Sequence, residues 1–117
     1  MSKYAEMSDF EINKLVAEKL DEAFLLPYIV TFNDSNEVVY LCEKDGISSI
    51  YPIAHFDPCN NPSDAWPIIL ENRINIKHLS SSDTWVAEES KDICVYSINE
   101  NPLRAAMIVY LMLEGDI

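Results

Sequence analysis

Glycine is nearly missing from this chain, with only Gly46 and Gly115 among 117 residues. A phosphate-cradling G-x-G-x-x-G or Walker loop needs several glycines at fixed spacing so that backbone can approach the phosphates, and a G-x-S-x-G nucleophile elbow needs two. None of these can be built, which removes the usual nucleotide, dinucleotide and serine-hydrolase motifs and leaves open only a less typical nucleotide site. Cysteine is scarce as well. Cys42, Cys59 and Cys94 stand far apart and form no C-x-x-C pair, so neither a disulfide framework nor a zinc ribbon is indicated, and buried reduced thiols are the expectation. Long apolar runs are also absent: the longest, Ala105 to Leu113, is about half the roughly 20 residues a helix needs to cross a bilayer. The N-terminal MSKYAEMSDFEINK mixes acids with lysines ahead of any apolar stretch, unlike the basic start and apolar run of a signal peptide. A cytoplasmic protein with no membrane span is expected.

Positive charge is in short supply. Twenty acids face eight bases, for a net charge of −12, and that field repels DNA, RNA phosphates and anionic lipid surfaces. Direct nucleic-acid binding and membrane binding are therefore not expected. The charge is uneven along the chain. Residues 61 to 80 hold Asp64 and Glu71 against Arg73 and Lys77, for zero, while residues 81 to 117 hold seven acids against Lys91 and Arg104.

What is present suffices for one folded domain over residues 1–117. The apolar fraction is 49%, and a chain of this length buries roughly two-thirds of its unfolded surface. Ser8 and Glu11 fit a capping box, and Ile12, Val16, Leu20 and Phe24 recur at fourfold spacing, so a helix is expected from Ser8 until Pro27 drives its predecessor out of helical geometry. Tyr28–Phe32 and Val38–Cys42 are β-branched and aromatic runs around the turn-forming Asn33-Asp34-Ser35-Asn36, which is a hairpin pattern, and Ser48 to Ile53 reads as a third strand closed off by prolines. With Asp64 as N-cap, a second helix is expected over Ala65 to Asn72; an earlier start at Pro62 would place Pro67 inside the helix at about 3 kcal/mol. Ile74 to Lys77, Trp85 to Ala87 and Ile93 to Ile98 read as strands. Asn101-Pro102 opens a last helix, apolar nearly all round, that ends near Gly115. The element order predicts an α+β fold: a mostly antiparallel β-sheet of about five to six strands with about three helices packed on it.

Candidate chemistry gathers in the stretch Phe56 to Arg73, FDPCNNPSDAWPIILENR, and just before it. His55, Asp57 and Cys59 alternate, so in extended backbone they would share a face and form a metal or thiol–histidine site. Pro58 breaks that alternation, and four ligands would need His78 or Asp64 from elsewhere. The competing reading is a rigid turn in which Cys59 is buried and Asp57, Asn60, Asn61, Ser63 and Asp64 offer acceptors to turn amides. Cys59 as a nucleophile would need its pKa lowered by a histidine or a helix N-terminus. Trp66 and Trp85 are binding anchors or core residues, with core as the default for both. Arg104 falls near the third residue of the last helix, where the positive dipole end opposes it, and so needs a carboxylate partner or an anionic ligand. An internal ion pair is the expectation. No catalytic residue, metal ligand or cofactor is assigned.

Three blocks, SDFEINKLVAEKL at residues 8 to 20, FDPCNNPSDAWPIILENR at 56 to 73 and NPLRAAMIVYLM at 101 to 112, resemble the NinX-like phage proteins in order and approximate spacing. The resemblance implies a phage or prophage origin and a small accessory gene, and it supplies no catalytic residue to carry over. Such proteins commonly act on host proteins, and an acidic one can occupy a nucleic-acid-binding groove by presenting carboxylates in place of phosphates. The leading expectation is a non-enzymatic interaction module with a host or phage protein as partner. The alternative is a small enzyme or ligand-binding domain with a pocket of His55, Asp57, Cys59, Asn60, Asn61, Asp64 and Trp66, and Arg104 holding an anion. A structural homodimer is a third reading.

Overall fold

The computed structural model describes residues 3–23, 25–46, 49–91 and 95–115. After a 3-10 turn at Lys3–Glu6, α1 (Asp9–Glu22) opens on the expected capping box: Glu11 N–H donates to Ser8 Oγ at 3.1 Å and Ser8 N–H to Glu11 Oε1 at 3.2 Å. Its apolar stripe buries Ile12, Val16 and Leu20; Phe24, the next residue of that stripe, lies outside the described residues. The helix stops a full turn before Pro27. Ala23 caps it, and Leu25 N–H donates to Leu20 O at 2.9 Å, a closing bond that ends the helix before the proline can.

Strands β1 (Ile29–Asn33), β2 (Val38–Lys44) and β3 (Ile50–His55) form one antiparallel sheet in the order β1-β2-β3. Phe32 faces Val39 and Val30 faces Leu41 across the expected hairpin, whose turn is set by Asn33 Oδ1 accepting from Asn36 N–H and by Glu37 at φ 54°. The third strand lies later than expected. It runs on to His55, with Pro52 inside it and a bulge opposite Leu41/Cys42. An edge strand tolerates a residue without N–H, so the proline does not end it. Ile47 and Ser48, at the expected start, are outside the described residues.

Strands β4 (Ile74–Leu79), β5 (Thr84–Glu89) and β6 (Tyr96–Asn99) form a second antiparallel sheet in the order β4-β5-β6. Ile93 and Cys94, counted above as the start of the last strand, are outside the described residues. Six strands are thus present among the described residues, divided into two sheets of three.

Helix α2 (Pro62–Glu71) begins earlier than expected: Asn61 is the N-cap, its side chain accepting from Ser63 N–H at 3.0 Å, and Pro67 lies inside the helix. Asp64, which the sequence nominates as cap, instead reaches back as an acceptor to Asp57 N–H at 2.9 Å. That tertiary bond, with the favourable first-position Pro62, fixes the early start that Pro67 alone would forbid. Helix α3 (Pro102–Leu113) starts on Asn101, buries every residue from Ala105 to Leu111, and is followed by Gly115 at φ 76°.

α3 is the central element. It packs on all three strands of the second sheet, on α1 and on α2, while α1 packs on β1 and β2 of the first sheet. The line first sheet, α1, α3, second sheet gives an elongated molecule of 54 × 28 × 24 Å. One continuous core joins Val39 and Leu41 of the first sheet to Ile74 and Ala87 of the second through Ile12, Val16, Met107 and Leu111.

Candidate functional site

The three helices start at one place. The Ser8/Asp9 end of α1, Asn61 at the head of α2 and Asn101 at the head of α3 all meet the loop Phe56 to Asn61, which is tied to each of them. Asn13 of α1 is only 6% exposed; its Nδ2 donates to Asp57 Oδ1 at 2.7 Å and its Oδ1 accepts from Cys59 N–H at 3.1 Å. Asn101 of α3 accepts at Oδ1 from Leu103 and Arg104 N–H, and with Nδ2 it donates to Cys59 O at 2.7 Å and Asn60 Oδ1 at 3.2 Å. Asn60 Nδ2 donates to Asp9 Oδ2 at 3.0 Å and to the Asp57 carboxylate at 3.2 and 3.3 Å. The Asp57 carbonyl accepts from Asn60 and Asn61 N–H at 3.1 and 2.7 Å.

Arg104 completes the junction. One nitrogen donates to Asp9 Oδ1 at 2.7 Å and the other to the carbonyls of Tyr4 and Met7 at 3.0 and 2.6 Å, so the 3-10 turn is fastened to α3. Each helix N-terminus carries about half a positive charge, so three of them plus the guanidinium amount to roughly +2.5, against the three carboxylates of Asp9, Asp57 and Asp64. The charges nearly cancel. Asp9 is the internal partner that Arg104 requires.

The candidate residues therefore separate. His55 ends β3, exposed, with its ring against Tyr40 in a T-shaped contact at 5.1 Å. Asp57 is half-buried and Cys59 fully buried, so the alternation expected of extended backbone is lost in the turn that closes on the Asp57 carbonyl. Among the described residues no group of three His, Cys, Asp or Glu side chains is arranged to hold a metal ion. Burial pushes the Cys59 thiol up to about 12; Asp9 adds to the rise and Arg104 opposes it. The thiol is protonated at neutral pH, the reverse of an activated nucleophile. Asp57 meets its partners differently from the expected cap: its carboxylate takes asparagine side chains, and its main chain makes the turn.

Two hollows flank the junction. One of about 280 Å3 is polar and is lined by Asp9, Asn13, Glu37, His55, Asp57 and Asn60. The other, about 440 Å3, is apolar and lies between α2, the end of α1 and the first sheet, with Leu20, Leu25, Leu41, Phe56, Pro67 and Ile68 on its walls and Asp64 and Glu71 beside them. Burial raises the Asp64 pKa first, the bond from Asp57 N–H lowers it, and the Asp57 charge raises it again.

Trp66 is not core. It is 56% exposed, Leu70 one turn on is 58% exposed, and Leu25 on the wall of the apolar cleft is 57% exposed. The buried Ala65, Ile68 and Ile69 define the inner stripe of α2 and leave Trp66 and Leu70 off it, a choice that apolar spacing alone does not make because Trp66, Ile69 and Leu70 also recur at i, i+3 and i+4. Trp85 is half-buried on β5, its ring 4.8 Å from that of His78. No residue pattern pointed to Asn13 or to the apolar cleft, since both depend on which segments meet in space.

The family model described as Bacteriophage P22, NinX matches residues 3–114, a span that takes in the junction, both hollows and both sheets. Neither a curated protein nor a solved structure matches the chain. No helix among the described residues is long and apolar enough to cross a membrane.

Replacing Arg104 by Met is expected to cost about 2 to 3 kcal/mol in a urea melt, below the full value for a buried pair because the Asp9 side chain is 42% exposed. Arg104→Lys should recover less than half of that loss, as an ammonium cannot fork across three acceptors; full recovery would contradict the geometry. Iodoacetamide at mildly alkaline pH, read by peptide mass mapping, should modify Cys59 in the folded chain at least about a hundredfold more slowly than a free thiol. Modification at the free-thiol rate would be incompatible with its burial.

Proposed function

We propose that this chain, which belongs to the NinX family of bacteriophage P22, is a non-enzymatic protein-interaction module that acts on a host or phage protein in the cytoplasm of the bacterial host. The observation that carries this reading is the exposure of large apolar side chains: Leu25 on the wall of an apolar cleft, and Trp66 and Leu70 on α2 outside its lining. Exposed large apolar side chains and an apolar cleft are features of contact surfaces, and a tryptophan is the side chain most enriched among residues that dominate binding energy. The polar residues that could have run chemistry are spent on one another: Asp57, Asn60, Asn13, Asn101 and Arg104 all hold partners within the chain. The net charge of −12 directs the choice of partner away from nucleic acid itself and toward proteins, including those that bind nucleic acid through basic grooves.

A second reading, a small enzyme or ligand-binding domain, is supported by the polar hollow of about 280 Å3. Of the residues first gathered for such a pocket only His55, Asp57 and Asn60 line it; Asp64 borders the apolar cleft instead. Cys59, Asn61, Trp66 and Arg104 are not among its lining residues.

Affinity purification of the tagged chain from host lysate, with mass spectrometry, separates the two. The wild-type chain is expected to recover a discrete protein at moderate salt, and Trp66→Ala/Leu70→Ala to lose it while its melting temperature stays unchanged, since both side chains are exposed. Recovery of no protein at low or moderate salt, together with binding of a metabolite in the polar hollow, would favour the second reading. Light scattering of the pure chain detects a homodimer.

A further inference from the structure

The electrostatics around the apolar cleft define what can fill it. Asp64 and Glu71 are the charged residues on its walls, and no lysine or arginine joins them. The cleft lies along α2 and ends beside the C-terminal turns of α1 and α2, where the helix dipoles present partial negative charge. α2 has no basic residue in its last turn to offset that charge, and Lys19 in the last turn of α1 is paired with Glu22 at 3.9 Å. The three N-terminal ends are neutralised at the junction; at the other end exposed Arg73 follows the C-cap of α2, while the cleft lining itself holds no base.

We propose that the cleft receives the apolar face of an amphipathic α-helix from a protein partner, with lysine or arginine side chains flanking that face. This rests on the interaction-module reading and narrows it to one class of partner. Helix-in-groove recognition uses large apolar side chains at i, i+3, i+4 and i+7, and the walls offer matching apolar surface from Leu20, Leu25, Leu41, Phe56, Pro67 and Ile68. Trp66 and Leu70, one helical turn apart on α2, are exposed outside the cleft lining and are not part of that surface. A small apolar molecule in the cleft would bring no positive charge to Glu71 on its wall. A second copy brings another −12, and none of its helices has the required basic flank: α1 carries more acids than lysines, α2 has no base, and Arg104 of α3 is held by Asp9. A basic flank would also relieve Asp64, whose carboxyl burial already disfavours as an anion.

The test is an NMR titration of the folded chain with three synthetic peptides of equal length: one with leucine at i, i+3, i+4 and i+7 and lysine elsewhere, a scramble of the same composition, and a version with glutamate in place of lysine. The first is expected to shift the amides of Leu25, Ile68 and Glu71, to bind at least about tenfold more tightly than the scramble, and to weaken by a similar factor on Leu25→Asp, while the glutamate peptide does not bind. Equal binding of peptide and scramble, or shifts centred on the polar hollow or on β6, overturns the inference and leaves the interaction-module reading standing. A chain that binds decanoate in the cleft, binds no peptide and recovers no protein from lysate overturns both.

Discussion

Three helix N-termini meeting on one short loop is the constraint from which the rest of the molecule follows. Bringing three positive dipole ends together is unfavourable unless anions lie among them, and the loop supplies Asp57 while the helices supply Asp9 and Asp64. The contacts are long-range in sequence. Asn13 reaches Asp57 across 44 residues, Asn101 reaches Cys59 across 42, and Arg104 reaches Asp9 across 95. Each such bond contributes on the order of 1 kcal/mol. Their shared partners couple them, so losing one leaves buried groups unsatisfied elsewhere.

Fixing the helix starts at one point also fixes where they diverge. α3 runs through the centre of the core, α1 leaves the junction along the first sheet and α2 packs on α3 and β4, so the apolar cleft opens between α2 and the end of α1. Asp64 belongs to both regions: one oxygen accepts from Asp57 N–H, and its side chain lines the cleft. Asp57, Asn60, Asn61, Asp64 and Arg104, which resemble an active site in one dimension, thus hold the fold, while Trp66 and Leu70 stay exposed on α2.

Local chemistry made much of this legible. The capping box at Ser8, the Asn101-Pro102 start, the first hairpin and the α+β class are all written in short-range patterns, and the need of Arg104 for a carboxylate follows from its place in a helix N-terminus. The expected start of α2 at Ala65 differs from the observed one at Pro62 because the cost of Pro67 was weighed without the bond from Asp57 N–H to Asp64, two residues of one short segment whose side-chain geometry the sequence alone does not give. For Trp66 the sequence offers a core position as default and a binding anchor as alternative, because Trp66, Ile69 and Leu70 share helical spacing as well as Ala65, Ile68 and Ile69 do; the structure buries the second set and leaves Trp66 exposed. The division of six strands into two sheets has no local signal, because strand runs do not encode which neighbours they pair with.

Native-state hydrogen exchange through a denaturant series tests most directly whether the junction is the clamp of the fold. The amides to follow are Asp57, which donates to Asp64; Cys59, which donates to Asn13; and Leu103 and Arg104, which donate to Asn101. All four should exchange at the free energy of global unfolding, merging with the core amides of α3. Exchange of Asp57 and Cys59 at a free energy well below that of α3 would make the loop a locally opening surface segment and contradict the account.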